Sequence, residues 1–252
     1  MKYSARPGQR PQPRPNCFTC QSRNRSEWCR LDASDLGLLN GNKVSTRYEP
    51  GQALFRQGDP CMGVYIVEAG TVAERRDDAQ GNSAVVRLRH AGDTLGYRDF
   101  LTGDRCSNSA LALADCSVCF IPKDSVRALL DRNPALGLLF LRKLADDLHS
   151  AEDTILHHAA LPMRKRLVHL LLSLKEHYGE MTDEGVLKLE LPLARQEIAS
   201  ILGSRPETIT RTIHALEEDG VAVFSGRAVI VADLDRLLDE LEADPGHQER
   251  PA

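Results

Sequence analysis

From residue 43 to residue 122 the apolar positions fall in short β-branched stretches, broken at glycines 51, 58, 63, 70, 81, 92, 96 and 103. Val64–Val67 and Ala84–Leu88 read as strands, and Asp77–Asn82 as a hairpin turn. Many short strands at this spacing predict an antiparallel sandwich or roll. After Pro122 the pattern turns helical. Asp124–Asp131 predicts a short helix. Asn133-Pro134 then gives a cap and a proline suited to the first helical position. The next proline is Pro162, which leaves room for a helix of roughly 25 residues. Within it Leu141, Leu144, Leu148, Ala151 and Ile155 alternate at spacings of three and four, an a/d seam. Asp146, Asp147, Glu152 and Asp153 lie off that seam. Such a stripe can pack on its own domain's core or on a second copy. Its length and its place between two domains favour a parallel homodimer.

The remaining pattern is compact. A helix is predicted from Arg164 to about His177, an alternating strand over Val186–Leu191 and two helices within Leu193–Gly220. A hairpin follows over Val221–Val231, turning at Ser225-Gly226, and then an acidic helix near Asp233–Leu241. At the other end, residues 1–16 are rich in Pro, Arg and Gln without apolar periodicity and read as a disordered tail. A cysteine-bearing segment, Cys17 to Cys29, and a short helical stretch around Ser34–Leu39 follow it. The whole is an α+β chain. A β-roll sensor domain with its cysteine segment spans 17–132, a dimerisation helix 133–160 and a winged helix-turn-helix 161–235. Residues 236–252 hold a helix end and a polar tail.

In LARQEIASILGSRPETITRTIHALEEDG (193–220), Ile198, Ala199 and Leu202 share one face of a first helix, which Gly203 can end. Ser204 or Arg205 can cap the second, with Pro206 at its first position. Ile209, Ile213 and Leu216 then point inward, leaving Glu207, Thr208, Thr210 and Arg211 exposed on the first turns. A helix-turn-helix presents its base-reading side chains there. Arg can donate two hydrogen bonds to guanine, Glu can accept from cytosine, and Thr210 can meet a thymine methyl. Thr208 and the amides at the helix start suit phosphate, and Arg205 is counted with them as a DNA-binding residue.

Charge alone would not find this segment. The 252-residue chain carries a net charge of −4. Residues 161–232 hold nine basic and ten acidic side chains, whereas residues 1–30 hold seven Lys/Arg and one Glu. Affinity for DNA must then rest partly on dimerisation and local geometry. With no membrane-length apolar run and no secretory leader, the expected location is cytoplasmic, and no membrane partner is expected. In that compartment seven cysteines argue for metal or redox chemistry more than structural disulfides. No P-loop, Ser-His-Asp order or paired carboxylate motif stands out, so the chain is not expected to be an enzyme.

RQEIASILGSRPETITRTIHALEEDG resembles the helix-turn-helix of the CRP/FNR family of transcription regulators. EPGQALFRQGDPCMGVYIVEAGTV (49–72) and AGDTLGYRDFL (91–101) resemble segments of that family's sensor β-roll. The resemblance runs from about Lys43 to Val231. It implies a homodimer that binds a palindromic promoter site on double-stranded DNA and contacts RNA polymerase. Glu207, Thr208, Ile209 and Arg211 resemble the FNR-type reader of a TTGAT half-site, with Thr210 where that branch usually has Ser.

The cysteines bear on the signal. Cys17-x2-Cys20-x8-Cys29 gathers three thiols, with Arg14, Arg23, Arg25 and Arg30 nearby to favour thiolates. Three clustered cysteines with a remote fourth is a common iron–sulfur arrangement. The FNR branch is similar, with its fourth cysteine before an Ile-Pro. The resemblance therefore implies Cys119, in Ser117–Pro122, as the fourth ligand of a [4Fe-4S] cluster, with Cys116 and Cys106 in reserve. Cys61 has no counterpart in that pattern. The gap of eight between Cys20 and Cys29 is longer than the family's. A zinc site of the same four thiolates, or cysteines without metal, are the alternatives. A cyclic nucleotide is a further one, but Gly96-Tyr97-Arg98 lacks the Glu that the cyclic-AMP branch uses, and its Arg-Ser pair aligns with Cys106-Ser107. Haem bound through His157 and His158 is another; histidines at a helix end more often meet its dipole.

Overall fold

The computed structural model describes residues 16–242; of the expected tail at 1–16 and the expected helix end and tail at 236–252, residues 1–15 and 243–252 lie outside the described residues. The chain divides into two compact units within its longest helix, between His149 and Ser150.

The first unit opens with α1 (Gln21–Asn24), a 3-10 turn (Glu27–Arg30) and α2 (Ala33–Asn42). The roll strands are β1 (Val44–Tyr48), β2 (Ala53–Phe55), β3 (Gly63–Ala69), β4 (Val72–Asp77), β5 (Ser83–Arg89) and β6 (Thr94–Leu95). Then come α3 (Tyr97–Thr102), β7 (Ser109–Ala112), β8 (Cys116–Pro122), α4 (Lys123–Arg132) and α5 (Pro134–Ala160). Two antiparallel sheets, ordered β1-β8-β3-β6 and β2-β7-β4-β5, form the roll. Their inner residues share one core with Trp28, Leu36, Leu39, Leu136 and Phe140. The expected turn at 77–82 joins β4 to β5, where Asp78 accepts from the Gln80 and Asn82 amides.

Gly70, between β3 and β4, has φ +89°, and a Cβ there would collide with the Asp115 carbonyl and the Cys116 sulfur. Gly51 also has positive φ, but a Cβ there meets nothing. Gly70→Ala is therefore expected to cost at least about 2 kcal/mol, the strain and the overpacking together. Gly51→Ala should cost only about 1 kcal/mol, from the strain. Urea unfolding of the two variants checks the difference.

α5 has two working faces. Leu136, Phe140 and Asp147 are buried on one. Phe140 meets Trp28 edge-on at 5.4 Å and stacks on Tyr97 at 5.9 Å. Asp147, expected among the acidic residues simply off the seam, is instead the centre of a buried network. It pairs with Arg89 at 2.7 Å, pairs with Arg87 and accepts from the Tyr97 hydroxyl. Arg89 also pairs with Glu74 at 2.8 Å. On the other face Leu141, Leu144, Leu148 and Ile155 are exposed, Ile155 by 68%, and Ala151 is half-buried. Packing on the domain's own core and an unpartnered apolar seam thus coexist on one helix.

The second unit continues from α5 into α6 (Met163–Tyr178), β9 (Gly179–Met181), β10 (Leu187–Glu190), α7 (Arg195–Ile201), α8 (Pro206–Glu218), β11 (Val223–Ser225), β12 (Ala228–Val231) and α9 (Leu234–Glu242). The sheet order is β11-β12-β10-β9. α9 docks on α6 through Arg164, which holds Glu240 at 2.5 and 2.6 Å and Asp219 at 2.7 Å. Ser225 pairs with Ala228, so the hairpin turns on Gly226-Arg227, one residue later than expected. Gly226 has φ +61° while Arg227 stays at negative φ, which suits a turn with glycine at its first central position.

Candidate functional site

α7 and α8 build the reading surface. The Glu197 carboxylate accepts from the Ala194 amide at 2.6 Å at the start of α7. Gly203, at φ +61°, lets the chain leave α7, with the Ser204 amide donating to the Ala199 carbonyl at 2.9 Å. Arg205 stands as the α8 cap through its backbone, without a side-chain cap, and Pro206 takes the first position. Ile209, Ile213 and Leu216 are buried as the spacing predicted.

Glu207, Thr210, Arg211 and His214 line one open concavity on the outer face of α8. Arg205, Glu207 and Arg211 are exposed and, among the described residues, none of the three side chains has an ion pair or hydrogen bond. Thr210 donates its hydroxyl to the Pro206 carbonyl at 3.0 Å, so its methyl and its oxygen lone pairs are what it can offer outward. Thr208 stands beside this face, half-buried, its carbonyl accepting from Thr212. The sequence reading missed His214, whose ring lies 3.1 Å from Glu217; its place one turn after Arg211 was the available signal. Exposed Arg227, at the tip of the β11–β12 hairpin, was missed as well.

The thiol site lies in the first unit. Cys17, Cys20 and Cys119 line one pocket with Ser22, Arg23, Leu39, Lys43, Ile66, Glu68 and Ile121. Cys119 reaches it from β8, a central strand paired with Ser45 of β1 and Ile66 of β3. Cys29, on the 3-10 turn, is exposed and does not line the pocket. Of the reserves, Cys116 bonds the Thr71 and Ala114 carbonyls and Cys106 contacts Cys61; neither lines it. Among the described residues no three His, Cys, Asp or Glu side chains are arranged to hold one metal ion.

Among the cations serving these thiols, Lys43, which was not expected, acts ahead of the expected Arg23. Arg14 lies outside the described residues. Arg23 spends its guanidinium on the carbonyls of Cys17, Trp28 and Cys29. Buried Lys43 stands 3.8 Å from the Cys119 sulfur, and Ser45 stands 3.3 Å from it. Burial pushes the Cys17 and Cys119 thiols up, and the Lys43 ammonium pulls both back. A lone lysine between Asn42 and Val44 carried no pattern that would single it out.

The donor chemistry of this pocket suits an iron–sulfur ligand set: three thiols, apolar walls and a buried ammonium to offset thiolate charge. The room does not yet suit it. The cavity of ≈ 20 Å³ holds about one water, so the 3-10 turn would have to bring Cys29 in and open the walls.

Arg98 lies 3.4 Å from the Ser107 hydroxyl, and Arg105 donates to the Gly58 carbonyl. His157 stacks on His169 of α6 at 4.4 Å. A Cβ on Gly203 would sit 3.3 Å from the His158 ring. These two histidines meet α6 and the turn after α7, beyond the helix-dipole role expected of them.

Residues 45–133 match the cyclic nucleotide-binding domain family and residues 165–240 match the Crp-like helix-turn-helix domain family. The two matches, roll and winged helix, lie on either side of the long helix α5. The chain belongs to the CRP/FNR family. The transcriptional activator protein FnrL of Cereibacter sphaeroides is 29% identical over 238 residues, 90% of this chain and 92% of that one. The fumarate and nitrate reduction regulatory protein of Vibrio cholerae is 25% identical, over 87% and 89%. Among solved structures, FixK2 from Bradyrhizobium japonicum superposes with a TM-score of 0.70 at 22% identity, covering 80% of this chain and 98% of that one. This CRP/FNR protein is therefore a DNA-binding transcription regulator. Among its described residues no helix is long and apolar enough to cross a membrane.

Proposed function

We propose that this regulator is a cytoplasmic homodimer responding to oxygen or a related oxidant through a [4Fe-4S] cluster held by Cys17, Cys20, Cys29 and Cys119. It binds a TTGAT-like palindrome and contacts RNA polymerase there. Residues 17–132 form the sensor, 133–160 the dimerisation helix and 161–235 the reader. The observation that carries the reading is the convergence of Cys17, Cys20 and Cys119 on one pocket from the N-terminal segment and the central strand β8. The FNR names of the relatives support it.

When bound, the cluster would supply an oxidant-labile link between the N-terminal segment and β8. The protein's own residues carry the consequence to α5. Cys29 sits on the Glu27–Arg30 turn beside Trp28, which is fully buried against Phe140 of α5. Trp28 also donates to the Thr94 hydroxyl at 3.1 Å, and that hydroxyl donates to Glu27 at 2.6 Å. Lys143 of α5 pairs with Glu27 at 3.3 Å and Asp93 at 3.0 Å. Moving Cys29 therefore moves side chains that brace α5, and α5 carries the seam Leu141, Leu144, Leu148, Ala151 and Ile155. An uncharged seam favours a dimer that persists while its two readers reorient. At the DNA, Glu207, Thr210 and Arg211 read bases, and Arg205 and Thr208 hold phosphate.

Anaerobic isolation tests the cluster. Iron and acid-labile sulfide are expected in equal amounts, near four of each per protomer as the cluster's formula requires, with a brown absorbance that air bleaches. Cys29→Ser is expected to remove most of both while leaving the far-ultraviolet circular dichroism unchanged. A colourless wild-type protein without iron or sulfide, or zinc bound in their place, would overturn this reading.

A further inference from the structure

Two buried thiols of the roll belong to neither site. Cys61 lies between β2 and β3, and Cys106 between α3 and β7. Their loops run antiparallel, side by side. The Gly58 amide donates to the Cys106 carbonyl, the Cys106 amide donates to the Asp59 carbonyl, each at 2.8 Å, and Pro60 bridges to Arg105. This pairing sets the two buried cysteines on the same face of the paired loops, near enough to influence each other's protonation. Both side chains are buried, yet Pro60, Met62 and Arg105 next to them are exposed, so the pair lies just beneath the surface. Neither sulfur lines the Cys17, Cys20 and Cys119 pocket.

We propose that Cys61 and Cys106 are a second oxidation site, independent of any cluster, which closes to a reversible disulfide on reaction with a hydroperoxide. A single buried cysteine is a small packing residue. Two on adjoining loops can act as a nucleophile and its resolving partner. The neighbouring Cys106 thiol pulls the Cys61 thiol down to about 7 against the opposing effect of burial, and Cys61 together with burial pushes Cys106 up. Cys61 is thus the readier of the two to lose its proton and attack; as a thiol it donates to the Gly63 and Gly96 carbonyls.

The chemistry balances. The Cys61 thiolate attacks the peroxide, forming an S–O bond as the O–O bond breaks and hydroxide leaves. Cys106 then attacks that sulfur, forming the S–S bond as the S–O bond breaks. The two thiols give up two electrons and two protons, and one hydrogen peroxide becomes two waters. The site also has a route to α5. The Cys61 sulfur lies 3.8 Å from the Gly96 carbonyl, and Gly96 precedes Tyr97, whose hydroxyl holds Asp147.

The test uses the full chain isolated in air, so that its outcome does not depend on the cluster. The protein is treated with graded hydrogen peroxide, denatured, alkylated, digested and weighed by mass spectrometry. The expected result is a Cys61–Cys106 linked peptide, two hydrogens lighter than its parts and abolished by dithiothreitol. It should become the dominant form of both residues at doses that leave Cys116 alkylated. In Cys106→Ser a dimedone-reactive sulfenic acid is expected at Cys61, and in Cys61→Ser Cys106 should stay reduced. Recovery of both residues as free thiols, as separate higher acids or linked to other cysteines would overturn the proposal.

Discussion

Asp147→Ala is expected to destabilise the sensor unit by about 3 kcal/mol, because it strands buried arginine charge. The lower end of the range for a broken buried pair applies, since Arg89 keeps Glu74 as a partner. Arg87 loses its contact as well, and the Tyr97 hydroxyl loses its acceptor. Asp147→Asn, which keeps acceptor and shape, should cost clearly less. The same network sets an acid limit. Burial opposes ionisation of Asp147, but Arg89, Tyr97 and Arg87 outweigh it and hold the carboxyl down to about 2, from 3.8. A depressed folded-state value means that this stability is fully present above about pH 4 and is lost as pH falls toward 2. Its size is about 2 kcal/mol. Denaturant unfolding at pH 7 and pH 3 measures both effects, with about half of the acid loss reached by pH 3. A loss under about 1 kcal/mol for the alanine variant at pH 7 would show that the network does not anchor α5.

Arg211→Ala is expected to weaken binding to the preferred palindrome by about tenfold to a hundredfold per half-site, the range of a lost bidentate contact to guanine. It should also relax preference at one base pair. Arg205→Ala should instead weaken all sequences alike and lower the salt slope by about one. Fluorescence anisotropy against a set of single-base half-site variants separates the two. Equal losses on every sequence for Arg211→Ala would place that guanidinium on phosphate.

Where the chain punctuates itself, its fold was legible. Asn133-Pro134 and Pro162 bracket α5, and Gly203 with Pro206 bracket the reading turn, because proline and glycine fix backbone choices locally. The inward set Ile209, Ile213 and Leu216 followed from helical spacing alone. Asp147 did not. Its charge reads as a solvated face until Arg89, 58 residues away on β5, is folded against it. Lys43 beside the thiols, and His169 beneath His157, were hidden for the same reason: each owes its role to a partner from another element. The wing turn slipped by one residue, since both Ser225-Gly226 and Gly226-Arg227 offer a glycine, and only the strand register chooses. Three of the four thiols expected to meet do line one pocket; Cys29 stands apart on a short turn whose position no spacing rule sets.

Oxidant control of DNA reading is measured by binding to a TTGAT palindrome without oxygen and after air, with iron determined on the same samples. Specific binding by the iron- and sulfide-loaded protein is expected, and on exposure to air a loss of iron together with a fall in affinity of about five- to 150-fold, the usual span of coupling between sites. Affinity unchanged by air while iron departs, or equally tight binding by protein that never held iron, would contradict oxidant control of DNA reading.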